Sequence, residues 1–182
     1  AQRRSAELGR QVGAAICTTD GDVVAVGANE VPRAGGGLYW EGDADDAREF
    51  TLGWDTSDSR QTELARQIAR DLDKAGWLKK RVTRRQVVKR IERTDVGDLI
   101  EFIRAVHAEM AALMDAARRG ISVADTVLYA TTFPCHHCAR HIVAAGIKRV
   151  VYVAPYPKSR AEGLHKDSII IDPSHPRKAR RR

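Results

Sequence analysis

The chain has 182 residues, enough for one domain with a sizeable core, and 43% hydrophobic with 30% charged residues is an ordinary globular balance. No apolar run approaches the roughly 20 residues of a membrane helix, and no signal peptide opens the chain, so no membrane partner and a cytoplasmic setting are expected. The net charge of +7 sits at the ends. Arg177 to Arg182 supply five positives and residues 1–10 a net two, which leaves residues 11–176 neutral and speaks against a basic, nucleic-acid-binding body.

Residues 1–10 read as a short helix. "QVGAAICTTDGDVVAVGANEV" reads as a hairpin, with β-rich runs flanking Asp20-Gly21, a strong turn signal. Cys17 falls in the first strand and reads as a small buried apolar residue. A long irregular loop follows, with Tyr39, Trp40, Phe50 and Trp54. Helical spacing then recurs at Leu64, Ile68, Leu72 and Ala75, and again over 83–93, where Thr83 is a candidate N-cap. Acidic residues crowd 41–58 and basic ones 79–93; both read as solvated faces, although the basic one could meet a phosphate or a partner.

The second half alternates. "AVHAEMAALMDAARRG" is an amphipathic helix over 105–120, with Val106, Met110, Leu113, Met114 and Ala117 in register, the methionines as core, and Gly120 at its end. "DTVLYATT" is a buried strand, "CHHCARHIVAAG" a helix ending at Gly146, and "IKRVVYVAP" a strand stopped by Pro155. Helix, strand, helix, strand implies parallel pairing with a right-handed crossover. The class is α/β: one domain over 1–171 with an insertion at about 33–98, and a basic, disordered tail over 172–182.

Three cysteines are too few, and odd in number, for a disulfide framework, yet Cys135 and Cys138 form a C-x-x-C pair. With His107 they supply an imidazole and two thiolates, a good zinc set with the fourth position open. Three protein ligands plus water is the catalytic pattern. Cys135 and Cys138 sit at a helix start, where N–H groups favour thiolate, and Pro134 suits the entry. His107 and Glu109 are about 200° apart on a helix wheel, so both serve one site only if the helix end points at it. Glu109 is not needed as a ligand. Beside a zinc-activated water, a carboxylate takes a proton and returns it elsewhere, which hydrolytic deamination of cytosine requires. His107-Ala108-Glu109 with Pro134-Cys135-His136-His137-Cys138 is the H-x-E and P-C-x-x-C signature of zinc nucleobase deaminases. A thioredoxin-like pair leaves His107 and Glu109 unexplained, and a structural zinc knuckle lacks a fourth ligand. His137 and His141, four apart, read as satisfied or exposed histidines rather than a second metal site.

At these residues the chain resembles the cytidine deaminase superfamily, in its deoxycytidylate deaminase branch, through "RAVHAEMAAL" and "TTFPCHHCARHIVAAGIKRVVY". The resemblance implies a three-layer α/β/α fold around a mixed sheet of about five strands. It places His107, Cys135 and Cys138 on zinc, Glu109 as proton shuttle, and Asn29 of "VGANEVP" against substrate, with Ala108 beside it. "NEVPRAGGGLYWEGDADDAREFTLGWD" and "APYPKSRAEGLHKDSI" resemble bacterial anti-phage dCTP deaminases, which deplete the deoxycytidine nucleotide pool. Those proteins carry a P-loop region before the deaminase. No G-x-x-x-x-G-K-[ST] occurs here, so this chain looks like the deaminase part alone. The expected substrate is a deoxycytidine nucleotide, with Arg33 and Lys158 as candidate phosphate donors, and family likeness implies a homo-oligomer. The rival substrate is cytosine in single-stranded DNA or RNA. A third reading is a non-catalytic domain with structural zinc.

Overall fold

The computed structural model describes residues 1–171, so the expected disordered tail lies outside the described residues. Strands β1 (Gly13–Cys17) and β2 (Val23–Ala28) form the expected antiparallel hairpin, with Gly21 at φ 99° in the turn. β3 (Val127–Thr132) pairs antiparallel with β1, and β4 (Arg149–Ala154) parallel with β3. The sheet order is β2-β1-β3-β4. The α/β reading holds, with four strands rather than about five. Pro155 ends β4, and the chain then turns into a short helix, Ala161–Leu164, instead of returning to the sheet.

Register decides where the core lies. Ala14, Ile16, Ala25, Leu128 and Ala130 share one sheet face and are all buried. Over them pack the 108–118 helix and the 136–144 helix, through Ala108, Ala112, Leu113, Ala116, Cys138 and Ile142. On the opposite face Val26, Ala15, Tyr129 and Val151 align across the strands, and Val26 and Tyr129 are about half exposed. The Gln2–Arg4 turn packs over Gly13 on that face. Residues 1–10 make only this single 3-10 turn instead of the expected helix. The Ala6 amide donates to Glu30 Oε2 and the Glu7 amide to Ser5 Oγ, which satisfies backbone groups outside any helix.

Numbered in chain order, the helices are α1 (Glu49–Leu52), α2 (Thr56–Lys74), α3 (Arg84–Ile91), α4 (Ala108–Arg118), α5 (His136–Ala144) and α6 (Ala161–Leu164). Thr83 caps α3 as expected, in a capping box with Gln86. The buried face of α4 differs from the expected one. It runs through Ala108, Ala112, Leu113 and Ala116, while Met114 is exposed. The alanines let α4 settle directly on β2. At Gly27 an added Cβ would sit 2.1 Å from the Ala108 carbonyl oxygen and 2.4 Å from the Ala112 nitrogen, both backbone. Gly27→Ala must therefore push helix and strand apart. We expect a loss of about 2 kcal/mol or more, read as a lower urea midpoint at unchanged m-value.

Residues 31–105, which include the stretch expected as an insertion, carry α1 to α3 and are closed at their base by a backbone bridge. The Glu30 amide donates to the Val106 carbonyl at 3.2 Å, and the Val106 amide to Glu30 at 2.9 Å. From the insertion, Glu49 and Asp55 reach Glu7 in the segment before β1. Burial, then the charges of Glu49, Asp55 and Glu30, lift Glu7 from 4.5 to about 7. A carboxyl raised in the folded state keeps its proton where the unfolded chain has lost it, so stability is fullest below the unfolded value and declines as pH rises through the folded one. We expect a decline of at most about 3 kcal/mol, lessened by solvent screening, between pH 4.5 and about 7 in buffer without added divalent cations, flattened in Glu7→Gln and read by urea unfolding.

Candidate metal centre

Two helix starts converge on one point. His107 is the N-cap of α4 with extended backbone (φ −64°, ψ 153°), and its side chain makes no capping bond, which leaves the ring free. Cys135 is the N-cap of α5 (φ −70°, ψ 167°), and its sulfur accepts from the Cys138 amide at 3.4 Å. His107 Nδ1 stands 3.2 Å from Cys135 Sγ and 3.4 Å from Cys138 Sγ. The wheel problem dissolves here: His107 precedes the first helical residue, so it and Glu109 can both face the sulfurs. The bridge between Val106 and Glu30 fixes the strand entering His107.

The donor set fits zinc. Zn–S of about 2.3 Å and Zn–N of about 2.0 Å in a tetrahedron hold N and S donors about 3.5 Å apart, within a few tenths of an ångström of the observed spacings. The cysteines are 3% and 0% exposed, which excludes competing solvent. Among the described residues this His–Cys–Cys group is also the one whose donors are soft. The electrostatics suit a cation. The bond from Cys138, opposed by burial and aided by His107, holds Cys135 down to about 3, while the same bond and burial push Cys138 well up. Burial lowers His107, but Cys135 and the negative charge around it outweigh that and leave it raised.

Glu109 is buried in the first turn of α4. Burial raises it above the ordinary carboxylate range, against its own backbone amide and the His107 charge. Its interaction with the Cys138 thiol puts the carboxyl beside the metal group. The other expected site residues divide. Asn29 is buried and held on the backbone: its Oδ1 accepts from the Val12 amide at 2.6 Å and its Nδ2 donates to the Arg10 carbonyl at 2.8 Å. Ala108 is fully buried, its carbonyl against Gly27. Arg33 pairs with Asp43 at 3.6 Å in an exposed turn, and Lys158 pairs with Asp98. Neither belongs to the metal group.

Some neighbours of the centre carried no signal in the sequence. Ser159 donates its hydroxyl to the Pro134 carbonyl at 2.7 Å, pinning the loop after β4 to the metal loop. Tyr156 is raised by burial and then by the charge of Cys135, and Arg10 lies over its ring while bonding Thr132. A groove beside the start of α5 is lined by His136, Ser159, Arg160 and Lys166. Each of these is a common surface residue type, distinguished only by where the fold puts it.

A mixed α/β sheet whose helix starts present one imidazole and two thiols, with a buried carboxyl beside them, defines a zinc-binding domain. The chain belongs to the cytidine and deoxycytidylate deaminase family, whose zinc-binding region model matches residues 1–154. It is 42% identical over 55 residues to the deoxycytidylate deaminase of Enterobacteria phage T2, covering 30% of this chain and 29% of that protein. It is 37% identical over 71 residues to a probable deoxycytidylate deaminase of Drosophila melanogaster, covering 37% and 34%. The chain thus spans about a third of the length of the curated relatives it matches. Among solved structures, the dCMP deaminase of cyanophage S-TIM5 aligns over 88% of this chain and 77% of its own, with TM-score 0.46 and 18% identity. Among the described residues no helix is long and apolar enough to cross a membrane.

Proposed function

We propose that the protein hydrolytically deaminates the cytosine of a deoxycytidine nucleotide, dCTP or dCMP, to the uracil nucleotide. One observation carries this reading: the buried Glu109 carboxyl beside the His107–Cys135–Cys138 group. His107, Cys135 and Cys138 would hold zinc. Zinc there supplies Lewis-acid activation of the water that attacks C4. Glu109, with its raised proton affinity, accepts the proton that water loses and delivers it to ring N3. The second proton of that water reaches the 4-amino group through the same carboxyl. The C4–N bond breaks, ammonia leaves and the carbonyl of uracil forms, so one water is consumed per ammonia released.

Asn29 acts in this reading by position: its anchored amide holds the chain between β2 and Glu30 and leaves one N–H for substrate. The groove lined by His136, Ser159, Arg160, Glu162 and Lys166 adjoins the P-C-x-x-C helix start and is a second candidate for the phosphate beside Arg33. Arg160 there pairs with Asp95, which leaves Lys166 as the groove's cation outside its ion pairs, and Glu162 opposes an anion. Depletion of deoxycytidine nucleotides against phage, in the cytoplasm and as a homo-oligomer, completes the proposal. It rests on the resemblance of residues 29–55 and 154–169.

A second substrate reading has its own observation. Arg66, Arg70, Arg84, Arg85 and Lys89 line a groove between α2 and α3, and Trp54 and Trp77 are exposed, a combination suited to a single-stranded nucleic acid. Zinc-loaded protein is incubated separately with dCMP, dCTP and a cytosine-containing single-stranded oligonucleotide, and uracil is followed. Turnover of free nucleotides alone supports the first reading. Turnover of the oligonucleotide alone replaces it with the second.

A further inference from the structure

Away from the metal centre three carboxyls meet. Glu7 stands before β1, Glu49 opens α1 and Asp55 caps α2. One oxygen of each lies within 4.8 Å of the others'. Glu7 is 7% exposed and Glu49 2%. In both, Oε2 is shut off from solvent and accepts no hydrogen bond. The bonds the trio does make run to other atoms or leave charge behind: Thr56 gives its amide and hydroxyl to Glu49 Oε1, Asp58 its amide to Asp55, and Gly9 its amide to Glu7.

Among the described residues neither Arg4 nor Arg48 pairs with the trio, although Arg4 Nε is itself buried without a partner. Arg48 forks onto Asp46 at 2.8–3.0 Å, and Arg4 lies 3.8 Å over the Trp40 ring and donates to the Leu38 and Tyr39 carbonyls. The strongest charges acting on Glu7 are all negative. Buried, unpartnered carboxylate oxygens of like charge are strongly disfavoured unless a proton or a cation joins them. Three hard oxygen donors favour magnesium, manganese or calcium over zinc, which prefers the thiols of the other centre.

We propose that Glu7, Glu49 and Asp55 bind a hard divalent cation of the magnesium class, which ties the insertion to the segment ahead of β1. Asp55 is the more exposed of the three and gives the ion its entry path and room for water ligands. The site stands whether or not the deaminase reading holds.

The 182-residue chain, first loaded with zinc to fill the thiol site, is titrated with MnCl2, and free Mn2+ is followed by electron paramagnetic resonance. One Mn2+ per chain is expected, displaced by MgCl2. Glu7→Gln and Asp55→Asn should each weaken it at least about tenfold with zinc content unchanged, whereas Cys138→Ser should keep it. No binding at about 1 mM Mn2+, the weak end of protein cation sites, overturns the proposal, as does binding that survives both carboxyl substitutions. Should those variants not fold, the zinc-loaded wild type decides: MgCl2 raises its urea midpoint if the site is real, and an unmoved midpoint overturns it.

Discussion

Glu109→Gln is expected to retain one zinc per chain and to lose deamination by about 10³-fold or more. The amide is nearly isosteric with the carboxyl, so the first turn of α4 and the contact with Cys138 persist. What disappears is a group able to take a proton, and positioned proton transfer contributes about 10²–10⁴-fold. In the proposed reaction one carboxyl serves two transfers, which puts the loss toward the upper end. The substitution also removes a buried carboxyl that burial already disfavours as an anion, so folding stability at neutral pH should not fall. Zinc content by mass spectrometry and a single-turnover assay with dCMP and dCTP check this. Near-normal turnover would remove Glu109 from the chemistry; lost zinc would make it part of the metal's support instead.

Cys138→Ser is expected to weaken zinc by about 10³-fold, close to 4 kcal/mol, a fair share of the 10–16 kcal/mol that a full protein ligand set provides. Serine fills nearly the same space, so without zinc the stability should change little. The difference appears when zinc is added: the wild type gains stability by mass action and the variant does not. Because Cys138 is pushed up while Cys135 is held down, binding must displace the proton on Cys138, and wild-type affinity should fall as pH falls. Competition with a chromophoric chelator gives the affinity, and unfolding scans with and without zinc give the stability. Equal zinc affinity in the two proteins would exclude Cys138 as a ligand.

The readable and unreadable parts of this chain divide along physical lines. Asp20-Gly21, the strands over 127–132 and 149–154, and the Thr83 cap follow from local chemistry, and each appears where the residues put it. His107, Cys135 and Cys138 were legible because metal ligation restricts residue type as well as spacing, and the fold brings them together. The α4 face was misjudged because periodicity ranks methionine above alanine, whereas the close approach at Gly27 admits only small side chains. Residues 1–10 look helical by composition, but a tertiary bond to Glu30 and a local one to Ser5 hold them otherwise. Ser159 and the trio of Glu7, Glu49 and Asp55 are invisible in one dimension, since their meaning lies in partners far along the chain.

The bridge between Glu30 and Val106 has a consequence for how such a protein changes over evolutionary time. It closes a long excursion, residues 31–105, on two adjoining backbone hydrogen bonds. The entropy of closing a flexible loop grows only with the logarithm of its length, so doubling or halving the excursion alters the closure cost by about 0.6 kcal/mol. The sheet and the two helix starts that carry His107 and Cys135 lie outside that loop. The excursion is therefore a place where insertions, deletions and whole substitutions of sequence can accumulate at little cost to the chemistry, and new recognition surfaces can be tried there while the ligand geometry stays as it is.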